Sequence, residues 1–262
     1  MLNRFFCFML AVMLLSCKKA PTKDDIDPDP QTTLYTSEIL FNSPEITISW
    51  TGNEFSFAYQ YTLEYLTSVP GDYETYFISE WMTDTSVLLS YLDDGEYRFT
   101  VRSRYDAGHE EASSDSLEFN IDAVMGPGLR FYPLHQVISS GSNVSMYLYV
   151  EDVQDLMGME LDISFDPAAM TILEVDPADL LLSSTTFYDE LEYGDGVIRI
   201  IASGENFLGI NGTGAVAQLT FRTEISGQTT ISILETSLFR NSVNDDIPIV
   251  ARENGLIEVI SD

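Results

Sequence analysis

The chain has 262 residues, 45% of them hydrophobic, which is enough for one large or two medium folded domains and excludes disorder throughout. Twelve Lys and Arg residues stand against 42 Asp and Glu residues, and the formal net charge of -30 repels phosphate polymers. Nucleic-acid binding is therefore excluded as the main function. Because both cysteines, Cys7 and Cys17, lie near the start, the rest of the chain holds no disulfide and no thiol nucleophile.

The first 17 residues are typical of a secretory signal. Arg4 precedes an apolar run at 5–15 that is too short to span a bilayer, and Ser16 and Cys17 follow. Leu14-Leu15-Ser16-Cys17 resembles the lipobox of bacterial lipoproteins. That resemblance implies cleavage before Cys17, lipidation of Cys17, and an anchor in the bacterial outer membrane, with exposure at the cell surface left open. The alternative is an ordinary cleaved signal with a chance cysteine.

Residues 18–31 predict a disordered acidic tether. All three lysines of the chain fall here, before a run of Asp and Pro residues at 24–30 that cannot bury a core. The aspartates are spaced as in a calcium loop that starts at Asp25. Pro30 and Thr36, however, occupy the positions where such a loop needs Gly and a bidentate acid, so we predict no metal site.

Residues 32–123 predict an all-β domain. Glu45–Trp50 alternates apolar and polar side chains, and apolar residues share one face of a strand that runs from Phe57 to Tyr65. A turn at Asp93-Asp94-Gly95 then delivers Tyr97 to the start of a strand. This arrangement resembles the tyrosine corner of a fibronectin type III or related immunoglobulin-like domain, which implies a β-sandwich and no particular function.

A short Gly/Pro hinge is predicted at 124–128, and a second all-β domain at 129–262. Apolar residues alternate with polar ones in several further segments, which are Val144–Val150, Met159–Phe165, Ile198–Ser203, Ala215–Phe221, Thr229–Leu234 and Leu256–Val259. About nine strands of this kind predict a jelly-roll β-sandwich.

The order of motifs in this second domain resembles that of a cohesin domain. The motifs are Ile163–Pro167, Met170–Val175, Gly212–Phe221, Gly227–Ile231 and Gly255–Val259. The departures are Phe165, where the family usually has tyrosine, and Gly158, where it often has a polar contact residue. The resemblance implies a non-catalytic receptor without a cofactor of its own. Its partner would be a dockerin, a small calcium-loaded helical module that another protein, usually a polysaccharide-degrading enzyme, carries in trans.

The resemblance also implies which strands contact the partner. They are the strand before Asp166-Pro167 and the strand at 197–203. The family's acidic contact corresponds to Glu160, and alternation places Asp162 on the same outward face. The outward residues of the neighbouring strand complete the predicted partner-binding set, which is Glu160, Asp162, Arg199, Ile201, Ser203 and Glu205. The alternative is that all of these are ordinary solvent-facing residues.

Tyr147 and Tyr149 suggest a different ligand. The two rings share the face opposite Val144–Val150's apolar side chains, and such a pair can stack on a sugar ring. Carbohydrate binding is therefore the rival function, and cross-strand packing of the two tyrosines is the structural alternative.

No motif predicts catalysis. His109 lacks the second histidine of a zinc motif, since Ser113 stands there, and His135 has no serine partner motif. The sequence thus predicts a non-catalytic, lipid-anchored adaptor that docks a dockerin-type partner at the cell envelope. A glycan-binding lipoprotein is the alternative, and a purely structural surface protein is a third possibility.

Overall fold

The computed structural model describes residues 27–36, 40–67, 71–181, 185–192, 196–204 and 209–261. Within these ranges the regular elements are all strands, as the sequence predicts. No helix in the described part of the chain combines the length and apolar character that a membrane crossing requires. The predicted lipidation site Cys17 and most of the predicted tether lie outside the described residues.

The described residues of the N-terminal half form nine strands in two sheets. They are β1 Thr32–Leu34, β2 Leu40–Phe41, β3 Ile46–Gly52, β4 Ala58–Leu66, β5 Tyr73–Ile78, β6 Ser86–Leu89, β7 Gly95–Asp106, β8 His109–Glu110 and β9 Asp115–Ile121. One sheet has the order β1-β3-β6 and the other β2-β9-β7-β4-β5, with β8 paired to β7. Trp50 is 2% exposed at the centre of the core between them.

The predicted corner at Tyr97 is well defined. The Tyr97 hydroxyl donates a hydrogen bond to the carbonyl of Asp93 at 3.0 Å, and its ring stacks on Phe119 with centroids 5.6 Å apart. This is the backbone contact that a tyrosine corner requires. The assignment to the fibronectin type III family stays a prediction.

The C-terminal half contains twelve described strands rather than the nine or so predicted. They are β10 Gly128–Tyr132, β11 His135–Ser139, β12 Asn143–Ser164, β13 Met170–Pro177, β14 Thr185–Glu192, β15 Val197–Gly204, β16 Ile210–Thr223, β17 Gly227–Ile233, β18 Leu238–Asn241, β19 Asp246–Ile247, β20 Ala251–Glu253 and β21 Gly255–Ile260.

Strand β12 departs from the prediction in the opposite direction, since it lowers the number of strands instead of raising it. The sequence predicts two strands in this region, whereas the structure has one continuous strand of 22 residues. Asp152 and Asp155 have φ angles of 50° and 55°, and the register with β16 shifts on both sides of Val153. These bulges bend the strand. Its first half therefore pairs with β10 and β16, and its second half with β15 and β18.

Both halves of β12 contribute to one core. Met146 and Leu148 from the first half and Leu161 and Ile163 from the second are completely buried, and they pack in the same cluster as Phe221. The result is a β-sandwich with an apolar interior.

The segment predicted as a hinge, 124–128, is packed at both ends, while Met125 within it is 56% exposed. Val124 is 1% exposed and belongs to the N-terminal core, and Gly128 begins β10. A Cβ atom on Gly126 would lie 2.1 Å from the carbonyl oxygen of Glu151, so this close approach of two backbones requires glycine. The exact domain boundaries stay a prediction.

Candidate functional site

The second half of β12, together with β15 and β18, presents one outward surface, which we call the outer face. Its inward neighbours, such as Leu161, Ile200 and Phe239, are buried in the core. Because successive side chains of a strand point to opposite sides, the residues between them point outward. The described residues of the outer face are Gly158, Glu160, Asp162, Arg199, Ile201, Ser203, Leu238 and Arg240.

The middle row of the outer face is apolar on both sides of one acid. Glu160 is opposite Ile201 on β15 and opposite Leu238 on β18. Glu160 is exposed, while Ile201 and Leu238 are half-buried. On the next strand, β14, the residue opposite Ile201 in the backbone register is Tyr188. The apolar pair matches the centre of a protein interface, where charged residues are depleted, and Glu160 is the charged exception in this row.

Asp162 lies on the outer face but does not offer a free carboxylate. It is only 5% exposed, because Arg199 and the segment at Thr236 and Ser237 cover it. Arg199 donates two hydrogen bonds to the carboxylate, from Nε at 2.7 Å and from Nη2 at 3.0 Å. These bonds, foremost, hold the pKa of Asp162 below its ordinary value. The prediction that Asp162 is an exposed contact is therefore wrong.

Asp162 instead orients Arg199. The guanidinium is fixed in a two-pronged geometry by the buried carboxylate, yet the Arg199 side chain is still 47% exposed. In the backbone register Asp162 is opposite Arg199, and Glu160 is opposite Ile201 in the next row of side chains. The outer face thus carries the fixed Arg199 cation in the row beside the Glu160 anion.

The row of the outer face formed by Ser203, Gly158 and Arg240 contains a small depression at Gly158. Gly158 is opposite Ser203 on one side and Arg240 on the other. A Cβ atom on Gly158 would meet the Cβ of Arg240 at 3.6 Å, which is an ordinary contact, so the missing side chain leaves a small depression. Ser203 is exposed beside it. Glu205, the last predicted contact, lies outside the described residues.

Leu238 and Arg240 are outer-face residues that the sequence analysis missed. Their strand has four residues, and the segment was not predicted as a strand. Phe239 is 1% exposed between the outward residues Leu238 and Arg240, and this alternation was the signal that could have revealed them.

Tyr147 and Tyr149 lie on the other half of β12, away from the outer face. Both point away from the core, and Tyr147 is 36% exposed. Tyr149 is engaged by its neighbours, since its ring meets Tyr132 edge-on at 5.7 Å and the Arg130 guanidinium lies 4.8 Å from its centroid. This arrangement favours the packing alternative for Tyr149.

The two histidines do not assemble a reaction centre with other residues in the described ranges. His109 Nδ1 lies 2.8 Å from Asp106 Oδ1 in an exposed hairpin, and His135 packs against Tyr91 with ring centroids 5.8 Å apart. Within the part of the chain that the structure describes, no group of three His, Cys, Asp or Glu side chains could hold a metal ion.

Comparison with known proteins identifies the C-terminal sandwich as cohesin-like. The family model of the cohesin domain matches residues 135–259, which include every described strand of the outer face. No curated protein matches the chain.

The chain is also similar to solved structures of cohesins. A non-cellulosomal cohesin from Archaeoglobus fulgidus is 15% identical, with a TM-score of 0.44 over 51% of this chain and 91% of that one. A type I cohesin–dockerin complex from Clostridium thermocellum is 19% identical, with a TM-score of 0.45 over 52% and 96%. A type II cohesin domain from Acetivibrio cellulolyticus is 14% identical, with a TM-score of 0.45 over 50% and 94%.

Proposed function

We propose that this protein is a non-catalytic, lipid-anchored adaptor whose cohesin-like domain docks a dockerin-type module of another protein. The observation that carries the proposal is the match of residues 135–259 to the cohesin family model. Cohesin domains bind dockerin modules and have no catalytic role of their own. The partner is expected to belong to polysaccharide-degrading machinery, and any calcium enters with the partner.

The outer face supplies the physical basis for docking. Protein interfaces combine an apolar centre with a polar rim, and their binding energy concentrates in a few central residues. Ile201 and Leu238 flank Glu160 in the middle row, and Arg199 and Ser203 lie in the neighbouring rows. The sheet is rigid before binding, so little ordering entropy is lost when a helix packs on it.

The fixed charges define the partner further. The Arg199 guanidinium is held by Asp162, which fixes one positive charge on the outer face. Glu160 is exposed and can accept a hydrogen bond from a basic or hydroxyl group. The partner should therefore present an apolar patch beside a hydrogen-bond donor.

The remaining parts of the chain complete the proposed architecture. The proposal includes a signal peptide at 1–17 with lipidation at Cys17, a tether at 18–31, a fibronectin type III or immunoglobulin-like spacer at 32–123, and the docking domain from 129 onward. The protein would then hold its partner at the bacterial outer membrane. Metabolic labelling with a palmitate analogue tests the anchor, since Cys17→Ser should abolish the label.

Capture experiments test the docking function against carbohydrate binding, the rival function suggested by Tyr147. The full chain is immobilised and offered a panel of purified dockerin modules, with calcium and with chelator, and separately a panel of insoluble glycans. We expect calcium-dependent capture of a dockerin and no retention on glycans. Glycan retention that Tyr147→Ala abolishes, without dockerin capture, would instead establish the rival.

A further inference from the structure

A cleft between the two sandwiches is lined by tyrosines and acids. We call it the tyrosine cleft. It has a volume of about 660 Å³, and its main lining side chains are Tyr65, Tyr76, Tyr97, Tyr132, Glu74 and Asp93. Small-molecule sites have volumes of about 300–1,000 Å³ and often lie where two domains meet. The tyrosine cleft has both properties.

Three of its rings keep a large accessible surface. Tyr65 is 37% exposed, Tyr76 48% and Tyr132 41%, although each is an aromatic residue that could be buried in a core. Tyr65 and Tyr76 meet edge-on with centroids 6.4 Å apart. The Tyr65 hydroxyl donates to Glu74 Oε2 at 2.7 Å and so fixes the ring and the carboxylate together. The cleft thus presents preorganised aromatic faces beside an anion.

The charges of the lining all have one sign. Glu74, Asp93, Asp94 and Glu96 contribute carboxylates, and among the described residues no Lys, Arg or His side chain lines the cleft. The Arg130 guanidinium lies 5.6 Å from the centroid of the Tyr132 ring and is paired with Glu151 and Asp94. Asp93 accepts a hydrogen bond from the Leu134 amide at 2.8 Å, which anchors it where the two sandwiches meet. Acceptors are therefore in large excess over donors.

A cleft lined by carboxylates and aromatic rings favours a positively charged ligand that donates hydrogen bonds and accepts none. An alkylammonium group has three donors and no acceptor, and it is attracted to aromatic faces as well as to carboxylates. A sugar hydroxyl needs donors and acceptors in similar number, and an anion is repelled. We propose that the tyrosine cleft binds an alkylammonium cation, between the exposed rings of Tyr76 and Tyr132 and the carboxylates of Glu74 and Asp93.

The cleft is separate from the outer face, so this proposal does not rest on the docking function. An alkylammonium group can come from a free diamine or from a lysine side chain of a protein. Titration of the full chain with cadaverine and with Nα-acetyl-lysine amide, followed by calorimetry, distinguishes the two sources. Saturable binding of either probe supports the proposal, and the tighter probe identifies the source.

Matched variants separate a specific site from diffuse attraction to an acidic protein. Tyr76→Ala and Asp93→Asn should each weaken binding at least tenfold. Tyr35→Ala and Glu174→Gln, which change an exposed tyrosine and an exposed acid elsewhere, should leave it unchanged. Tyr76 is half exposed, so its replacement tests the site independently of the Asp93 variant. Equal loss in the control variants, no saturable amine binding, or binding of cellohexaose in place of the amines would overturn the proposal.

Discussion

Arg130 and Asp94 form an ion pair across the two sandwiches, with the Arg130 Nε atom 3.1 Å from Asp94 Oδ2. The same nitrogen lies 2.6 Å from Oε1 of Glu151 on β12. The side chains of Arg130 and Glu151 are 8% and 7% exposed, so this cation is almost excluded from water. One buried guanidinium therefore links the N-terminal half to the central strand of the C-terminal half, next to the tyrosine cleft.

Replacing Arg130 should destabilise the protein strongly. In the Arg130→Met variant, Glu151 would be left as a buried charge without its cation, and breaking such a pair costs about 3–5 kcal/mol. Urea unfolding followed by tryptophan fluorescence measures the change. Arg98→Met removes the more exposed pair with Glu118 and should cost less than about 1 kcal/mol. An equal loss of unfolding free energy in Arg130→Met and Arg98→Met would contradict the role of the buried Arg130–Glu151 pair.

Asp93 should make stability depend on pH. Burial, foremost, raises the pKa of its carboxyl group from 3.8 to about 6 in the folded protein, and the unfolded chain keeps the lower value. Between these two values the folded state binds the proton more tightly, so stability falls as pH rises from about 4 to 6. Above pH 6 the ionised group carries the whole penalty, about 3 kcal/mol.

The Asp93→Asn variant isolates this effect from the other carboxyl groups, because asparagine keeps the acceptor for the Leu134 amide. The melting temperature of the variant should exceed that of the wild type at pH 8, and the difference should shrink towards pH 3. Thermal scans across this range measure it. A difference in melting temperature that is constant with pH would show that burial does not raise the pKa of Asp93.

Tyr97 should stabilise the N-terminal sandwich through its hydroxyl group. Tyr97→Phe keeps the ring on Phe119 but removes the hydrogen bond to the Asp93 carbonyl. A net loss of about 1 kcal/mol is expected for a bond of this kind. Urea unfolding checks it, with Tyr35→Phe as the control because Tyr35 is 66% exposed. A larger loss of unfolding free energy in Tyr35→Phe than in Tyr97→Phe would contradict the stabilising role of the Tyr97 hydroxyl group.

The sequence predicted the all-β class and the direction of the side chains on the outer strands, because both follow from period-two alternation. Glu160, Arg199, Ile201 and Ser203 all point away from the core, as alternation requires. Alternation assigns a residue to one face of a sheet but does not say whether a neighbouring loop covers that face. This is why the burial of Asp162 could not be predicted.

Other features depend on contacts between distant parts of the chain. The continuity of β12 depends on bulges at Asp152 and Asp155. From the sequence alone, this region was predicted as a break between two strands. The tyrosine cleft brings Tyr65 and Tyr76 together with Tyr132 from the other sandwich. No local pattern marks a site whose residues meet only when two sandwiches pack against each other.

The proposed docking is tested by the affinity of the full chain for its captured dockerin module, with Ile201→Asp compared against Leu173→Asp. Both variants place an acid at an apolar position that is at least partly exposed, but Leu173 is on β13, outside the outer face. Docking through the outer face predicts calcium-dependent binding that Ile201→Asp weakens at least tenfold and Leu173→Asp leaves unchanged. Failure of every dockerin to bind, or equal affinity of the wild type and Ile201→Asp, would contradict it.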